Sequence, residues 1–207
     1  MSAERHIETW RRLGALVISR LEFQKTGLTA AAVLPPDRVR EAAEAMREAG
    51  FFLETITAVE VREGILATWL YDSPAEPGRL AVRALTEVGG SLPSVAHIFQ
   101  GAEWHEREAT DFLGLGFTGN PNPVPLLLPH DFPGPPPLLR TTHENAAAVP
   151  WKRSMDRWAG LPKTGGYKSV APPLSELKLF GQAEFFDPAW QALAEPAPAG
   201  PEGGAAT

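Results

Sequence analysis

Sixteen of the 21 prolines stand between Pro121 and Pro201. Proline fixes φ and has no backbone donor, so this region is excluded from regular helix and from the centre of a sheet. The packed fold must therefore come largely from residues 1–118. The segment that follows, NPNPVPLLLPHDFPGPPPLLR, still carries Leu126-Leu127-Leu128, Phe132 and Leu138-Leu139. That is too apolar for a free linker. Residues 119–194 are expected to form an extended arm that lies along a surface, of its own domain or of a partner. From Glu195 the composition (EPAPAGPEGGAAT) is that of a disordered tail, 195–207.

Upstream, two periodicities alternate. A short helix is expected over 3–13, with Ile7 and Trp10 or Leu13 on one side. Leu16 to Arg20 and Leu28 to Leu34 read as strands. Val39, Ala42, Ala43 and Met46 recur at helical spacing, predicting a helix from Arg38 to Ala49 with Asp37 as its N-cap. Phe51 to Val61 is strongly β-prone. Arg62-Glu63-Gly64 is a tight-turn candidate, and Ile65 to Tyr71 its hairpin partner. Arg79 to Leu85 gives a further strand.

A helix with a glycine exit closes the series over the stretch from Ser94 to Gly116. Its apolar face is Val95, Ile98, Phe99, Ala102, Ala109, Phe112 and Leu113, with Gly114 at the left-handed cap position. The order is α-β-β-α-β-β-β-α, and two connections are too short for crossovers. The expected fold class is therefore α+β with a mixed, largely antiparallel sheet, followed by the proline-rich arm.

A chain of 207 residues with 43% hydrophobic residues can build a core. Its net charge of −6 argues against nucleic acid as a partner and against electrostatic attachment to an acidic membrane. There is no cysteine, so this chain can supply no thiolate to an iron–sulfur cluster, zinc site or nucleophile. The N-terminus has no apolar core of signal-peptide length, and no apolar run is long enough to span a bilayer. A soluble, cytoplasmic protein is expected.

The expected helix carries a dense charged block: Glu103, His105, Glu106, Arg107, Glu108 and Asp111. A metal site would need a second ligand on the same face as His105, but the position four residues on holds Ala109. His6, His97, His130 and His143 have nothing in the sequence that fixes them relative to one another. A metal held by His105, Glu108 and Asp111 is the remote alternative. Glu108 with Asp111, Glu103 with Arg107, and Arg107 with Asp111 have i,i+3 or i,i+4 spacing. Such pairs contribute only about 0.2–0.5 kcal/mol each on an isolated helix, and a solvated, salt-bridged face accounts for them. Neither a phosphate-cradling glycine loop nor a nucleophile elbow is present. The residues by themselves nominate no catalytic, cofactor-binding or metal-binding site.

The block does resemble a family signature. Glu106-Arg107-Glu108, Asp111, Phe112, Leu113, Gly114, Phe117, Gly119 and Pro121 are similar to the motif of the 30 kDa subunit family of respiratory complex I, the NADH–quinone oxidoreductase. The related subunits of membrane-bound hydrogenases share the resemblance. Thr55 to Glu60, the strand returning to Tyr71, and Arg79 to Leu85 look like that family's strands. The resemblance is good over about Phe51 to Arg140 and looser before it.

It implies an α+β fold and a non-catalytic scaffold subunit of the peripheral arm of a proton-translocating NADH–quinone oxidoreductase. Such a scaffold braces the large, 49 kDa-type quinone-site subunit on the cytoplasmic side of the membrane. FMN, iron–sulfur clusters and quinone then belong to partner subunits, with no cofactor in this chain. Glu106, Arg107, Glu108, Asp111, Phe112, Gly114, Gly119 and Pro121 are the implied interface residues. The turn Asn120-Pro121-Asn122-Pro123-Val124-Pro125 lacks the family's basic pair, and Trp104 before the triplet resembles the hydrogenase and formate hydrogenlyase branch. The donor is thus left open among NADH, hydrogen, formate and other carriers, and so is the acceptor.

Overall fold

The computed structural model describes residues 2–75, 78–139, 174 and 183–194. The tail 195–207, and most of the expected arm beyond 139, lie outside the described residues. Helix α1 (Ser2–Arg12) places Ile7 and Trp10, three residues apart, into the core. Strands β1 (Val17–Arg20) and β2 (Ala30–Val33) pair antiparallel, separated by a single-turn helix, α2 (Phe23–Thr26), that has no counterpart in the expected element order. Helix α3 (Val39–Glu48) buries Val39, Ala42, Ala43 and Met46, as its spacing predicts. Asp37 is not its cap. A 3₁₀ turn over Pro36–Arg38 leads into the helix, and no side chain caps its N-terminus, because Pro36 already presets the first-turn geometry.

Strands β3 (Phe52–Val61) and β4 (Gly64–Asp72) form the expected hairpin, its two-residue turn being Arg62-Glu63. Gly64 is required at its place. It sits at φ 146°, and an added Cβ would lie 2.1 Å from the Thr86 carbonyl oxygen. Strand β5 (Leu80–Thr86) returns antiparallel to β4 and runs parallel to β2. Strand β6 (Ser91–Pro93), helix α4 (Ala102–Leu113) and strand β7 (Gly116–Thr118) follow, β6 and β7 pairing parallel. Near the C-terminus, β8 (Ala183–Phe186) adds antiparallel to β1, and α5 (Pro188–Ala194) follows it.

The main sheet has the order β3-β4-β5-β2-β1-β8, with β2–β5 the parallel pair. The fold is α+β with a mixed, mostly antiparallel sheet. One face of the sheet presents Ile18, Ala30, Ala32, Ile56, Ile65, Ala67, Trp69, Tyr71, Val82 and Ala84 to a core shared with α1, α3 and α4. The other face gathers Val17, Val33, Val61 and Leu66 under Leu174 and Trp190. The alternation along β1 (Val17 against Ile18) and β4 (Ile65 against Leu66) is what a sheet covered on both faces needs.

The helix expected from Ser94 is shorter than its apolar spacing predicts. Residues 94–101 form turns, and α4 begins at Ala102. Val95 is nevertheless fully buried, and Ile98 and Phe99 pack against the same core. The hydrophobic periodicity is real but is met by a turn. Within it the Ile98 and Phe99 N–H groups donate to the Val95 carbonyl, the Ala102 N–H to Phe99 and the Glu103 N–H to Gln100, so separate turns stand in place of one continuous helical ladder. Gly114 ends α4 in the left-handed conformation, φ 66°, its N–H donating to the Thr110 carbonyl.

Candidate functional site

Helix α4 rests one face on β3 through Ala102, Ala109 and Leu113, and its charged residues take different directions from there. Glu106 points inward and is fully buried. Its Oε1 accepts the Val95 N–H at 2.8 Å, and its Oε2 accepts the Ser94 hydroxyl and the Asn120 Nδ2–H, each at 2.7 Å. Ser94 Oγ in turn accepts the Ala96 N–H. One carboxylate thus ties the approach to α4 and the turn beyond β7 to the helix. Burial pushes the Glu106 carboxyl above its usual range, opposed by these three hydrogen bonds and by His97.

Arg107 and Asp111 grip the first part of the proline-rich segment. The Arg107 guanidinium donates to the carbonyls of Val124 (Nε, 2.8 Å) and Pro125 (3.1 Å), and to Glu103 Oε1 at 3.0 Å. Asn122 Nδ2 donates to the same Glu103 oxygen. Asp111 Oδ2 accepts three successive backbone N–H groups, from Leu126 (2.9 Å), Leu127 (2.7 Å) and Leu128 (3.0 Å). The Leu138 N–H donates to the Phe112 carbonyl. Proline explains the pattern: a segment that cannot pair its backbone in a ladder satisfies its remaining donors and acceptors with side chains.

The other signature residues have plainer surroundings. Phe112 is half-buried. Gly119 has φ 90° and lies where a Cβ would press within 3.3 Å of Arg40, and Pro121 is exposed. Glu108 is exposed and makes no hydrogen bond or ion pair among the described residues. Trp104, one turn before it, is 63% exposed. His105 is half-buried. Asp111, the partner a metal would need, has its Oδ2 engaged by three amides, and among the described residues no three His, Asp or Glu side chains are grouped to hold an ion. His6 stands edge-on to Phe51, His130 and Asp131 are exposed, and His143 lies outside the described residues. An open hollow between α4, β7 and the arm is lined by Arg107, Asp111 and Asn120, each of which is bonded to the turn after β7 or to the arm.

Glu106, Arg107, Glu108 and Asp111 stand together as their sequence spacing predicts, but the groups they bind come from elsewhere. Ser94, Asn120, Asn122 and the amides of Leu126–Leu128 complete the arrangement, and none of these is singled out by the charged motif. Among helix-surface pairs, Glu103–Arg107 forms, whereas Asp111 turns to the arm instead of Arg107. Asparagines interleaved with prolines were the available signal, since an Asn there has no helix or strand to serve.

Residues 32–146 match the family described as Respiratory-chain NADH dehydrogenase, 30 Kd subunit. Curated relatives include the J subunit of NAD(P)H-quinone oxidoreductase from Prochlorococcus marinus strain MIT 9303, 47% identical over 58 residues, 28% of this chain and 31% of the relative. An NADH-quinone oxidoreductase subunit of Chlorobium phaeobacteroides is 46% identical over 59 residues, 28% of this chain and 36% of the relative. The J subunit of P. marinus strain NATL1A is 28% identical over 114 residues, 50% of this chain and 66% of that protein. The chain thus spans about a third of the length of the first two. Among solved structures, a chain of the membrane-bound sulfane sulfur reductase, an archaeal respiratory membrane complex, superposes with TM-score 0.54 at 20% identity. That match covers 82% of this chain and 98% of the other, and the likeness is one of fold.

Proposed function

The chain belongs to the 30 kDa subunit family of respiratory-chain NADH dehydrogenase, and we propose that it is a non-catalytic scaffold subunit in the peripheral arm of a proton-translocating NADH–quinone oxidoreductase. In this reading it braces the large, 49 kDa-type quinone-site subunit on the cytoplasmic side of the membrane. FMN, iron–sulfur clusters and quinone reside in its partners. No helix among the described residues is long and apolar enough to cross a membrane, in keeping with peripheral attachment through other subunits.

The observation that carries the reading is how α4 uses its acidic and basic side chains. Glu103, Glu106, Arg107 and Asp111 hold this chain's own turns and proline-rich segment in place. A carboxylate enclosed by three donors, or one capping three amides, supports an architectural role. A catalytic base would need to reach the proton it abstracts.

A second reading, the equivalent member of a hydrogenase- or formate hydrogenlyase-type complex, is favoured by one feature. The turn Asn120–Pro125 carries asparagines where a basic pair is usual in the family, and Asn120 and Asn122 bind Glu106 and Glu103 there.

Arg107→Ala in the native complex tests the scaffold role. The yield of assembled peripheral arm on native gels should fall, while electron transfer per assembled complex stays at the wild-type level. A normal yield of complex with a reduced turnover per complex would overturn it. The proteins that co-purify with the wild-type chain, a flavin-binding dehydrogenase subunit or a nickel-binding large subunit, separate the two readings.

A further inference from the structure

Seven large hydrophobic side chains are exposed among the described residues, and four of them belong to α4 or to backbone bonded to it. Trp104 (63% exposed) is on the helix. Val124 (46%) presents its carbonyl to Arg107, Leu127 (60%) its N–H to Asp111, and Leu138 (57%) its N–H to the Phe112 carbonyl. The bonds fix the backbone of each residue while its side chain stays in solvent. At about 100° per residue, Trp104, Glu108 and Asp111 fall within roughly 60° of one another around α4, opposite the buried Ala102, Ala109 and Leu113. Glu108 is on this outward row, and it is the carboxylate of the Glu-Arg-Glu triplet that has no partner among the described residues.

Resting on the scaffold reading above, we propose that Trp104 and Glu108 form a clamp for an arginine side chain of a partner subunit, with Val124, Leu127 and Leu138 as its apolar surround. The chemistry selects the occupant. Trp104 and Glu108 are four residues apart on one helix, so their Cβ atoms stand about 6 Å apart, one turn over the other. An indole face attracts a guanidinium by cation–π interaction and stacking, and a carboxylate one turn away accepts its N–H fork. Arginine satisfies both at once because its charge is planar and weakly hydrated; lysine offers a point charge and no stacking plane. A second carboxylate, a phosphate or an acidic lipid headgroup would meet an unpaired negative charge at Glu108 instead. Aromatic and arginine anchors of this kind dominate protein interfaces when ringed by apolar contacts that exclude water.

The assembled complex provides the test. With a benzophenone-bearing amino acid in place of Trp104, irradiation of the purified complex should cross-link this chain to another subunit, and the cross-linked peptide should contain an arginine. Glu108→Gln should release the chain from the complex about tenfold faster, or at distinctly lower salt, than wild type. Trp104→Phe should retain most of the salt resistance, and Trp104→Ala should not. Restoring assembly of Glu108→Arg by replacing the partner's cross-linked arginine with glutamate would complete the case. A cross-link to this chain's own residues, to a second copy or to lipid overturns the clamp. So does a Glu108→Lys complex with wild-type yield and salt resistance. Those results leave the scaffold reading standing, since the chain is still in its complex. Failure of the wild-type chain to co-purify with any flavin-binding or quinone-site subunit would overturn both.

Discussion

Replacing Asp111 tests the attachment of the proline-rich segment most directly. Its Oδ2 alone receives the amides of Leu126, Leu127 and Leu128, and the residue is 8% exposed. A hydrogen bond to an ionised acceptor contributes about 1.5–3 kcal/mol. Three donors sharing one oxygen do not sum fully, and water can reach the half-buried amides once the carboxylate is gone. Asp111→Ala should therefore weaken the attachment by about 2–4 kcal/mol. Asp111→Asn keeps an oxygen that can occupy the Oδ2 place and loses only the charge, so about 1–2 kcal/mol is expected.

Because the segment can lift without unfolding the sheet, the sharpest readout is local. Amide hydrogen exchange at residues 126–128 should accelerate about 30- to 1000-fold in the alanine variant and about tenfold in the asparagine variant, at one decade per 1.4 kcal/mol. Amides of β4, paired on both sides, serve as the unchanged control. Exchange at 126–128 that stays at the wild-type rate in Asp111→Ala would refute the reasoning. So would an asparagine variant as damaged as the alanine one.

Three further outcomes can be measured. Glu106 has its folded-state carboxyl pushed upward by burial. Its contribution to stability is therefore fully present at acid pH and is lost as pH rises from its ordinary 4.5 through the raised value. Thermal melts of wild type and Glu106→Gln across this window should show the wild type losing ground to the variant with rising pH; a gain would contradict the buried-carboxyl assignment. Gly64→Ala forces a Cβ to within 2.1 Å of the Thr86 oxygen at φ 146°. It should cost about 3 kcal/mol or more, read as a lowered urea midpoint with an unchanged slope. Arg107→Lys keeps the charge but cannot reach the carbonyls of Val124 and Pro125 and Glu103 together. A loss of about 1–2 kcal/mol in thermal unfolding is expected, less than for Arg107→Ala.

The parts of the fold that were legible in the sequence are those decided by near neighbours. Val39, Ala42, Ala43 and Met46 share a helix face whatever lies beneath it, and Phe52–Val61 and Gly64–Asp72 pair across a two-residue turn. The start of α4 differs because apolar spacing does not fix the bonding beneath it. Val95, Ile98 and Phe99 are spaced as a helix face, and separate turns set them on the core as a helix would, while the Val95 amide and the Ser94 hydroxyl go to Glu106, 11 and 12 residues away. No local pattern encodes a bond of that span. Strand β8 was hidden for the same reason: Ala183–Phe186 is four residues long and pairs with Val17–Ser19, at the opposite end of the chain. The site was legible as a cluster of charges. Its division between inward and outward roles was not, because i,i+4 spacing cannot tell Glu106, enclosed by three donors, from Glu108, bonded to nothing among the described residues.

That division also orders how the four charges should respond to substitution. Glu106, Arg107 and Asp111 each hold two or more groups from segments distant in sequence, so removing any one leaves several donors or acceptors unmatched in a buried or half-buried setting. Their loss is felt within this chain, with or without a partner. Glu108 holds nothing among the described residues, and an exposed carboxylate on a helix contributes little to the stability of its own domain. Its effect arises only where a second surface desolvates it. A motif that reads as one charged unit is thus two devices on one helix, one folding the arm onto α4 and one facing outward beside Trp104. Variants at Glu108 that leave thermal unfolding unchanged and alter only assembly would show the two acting separately.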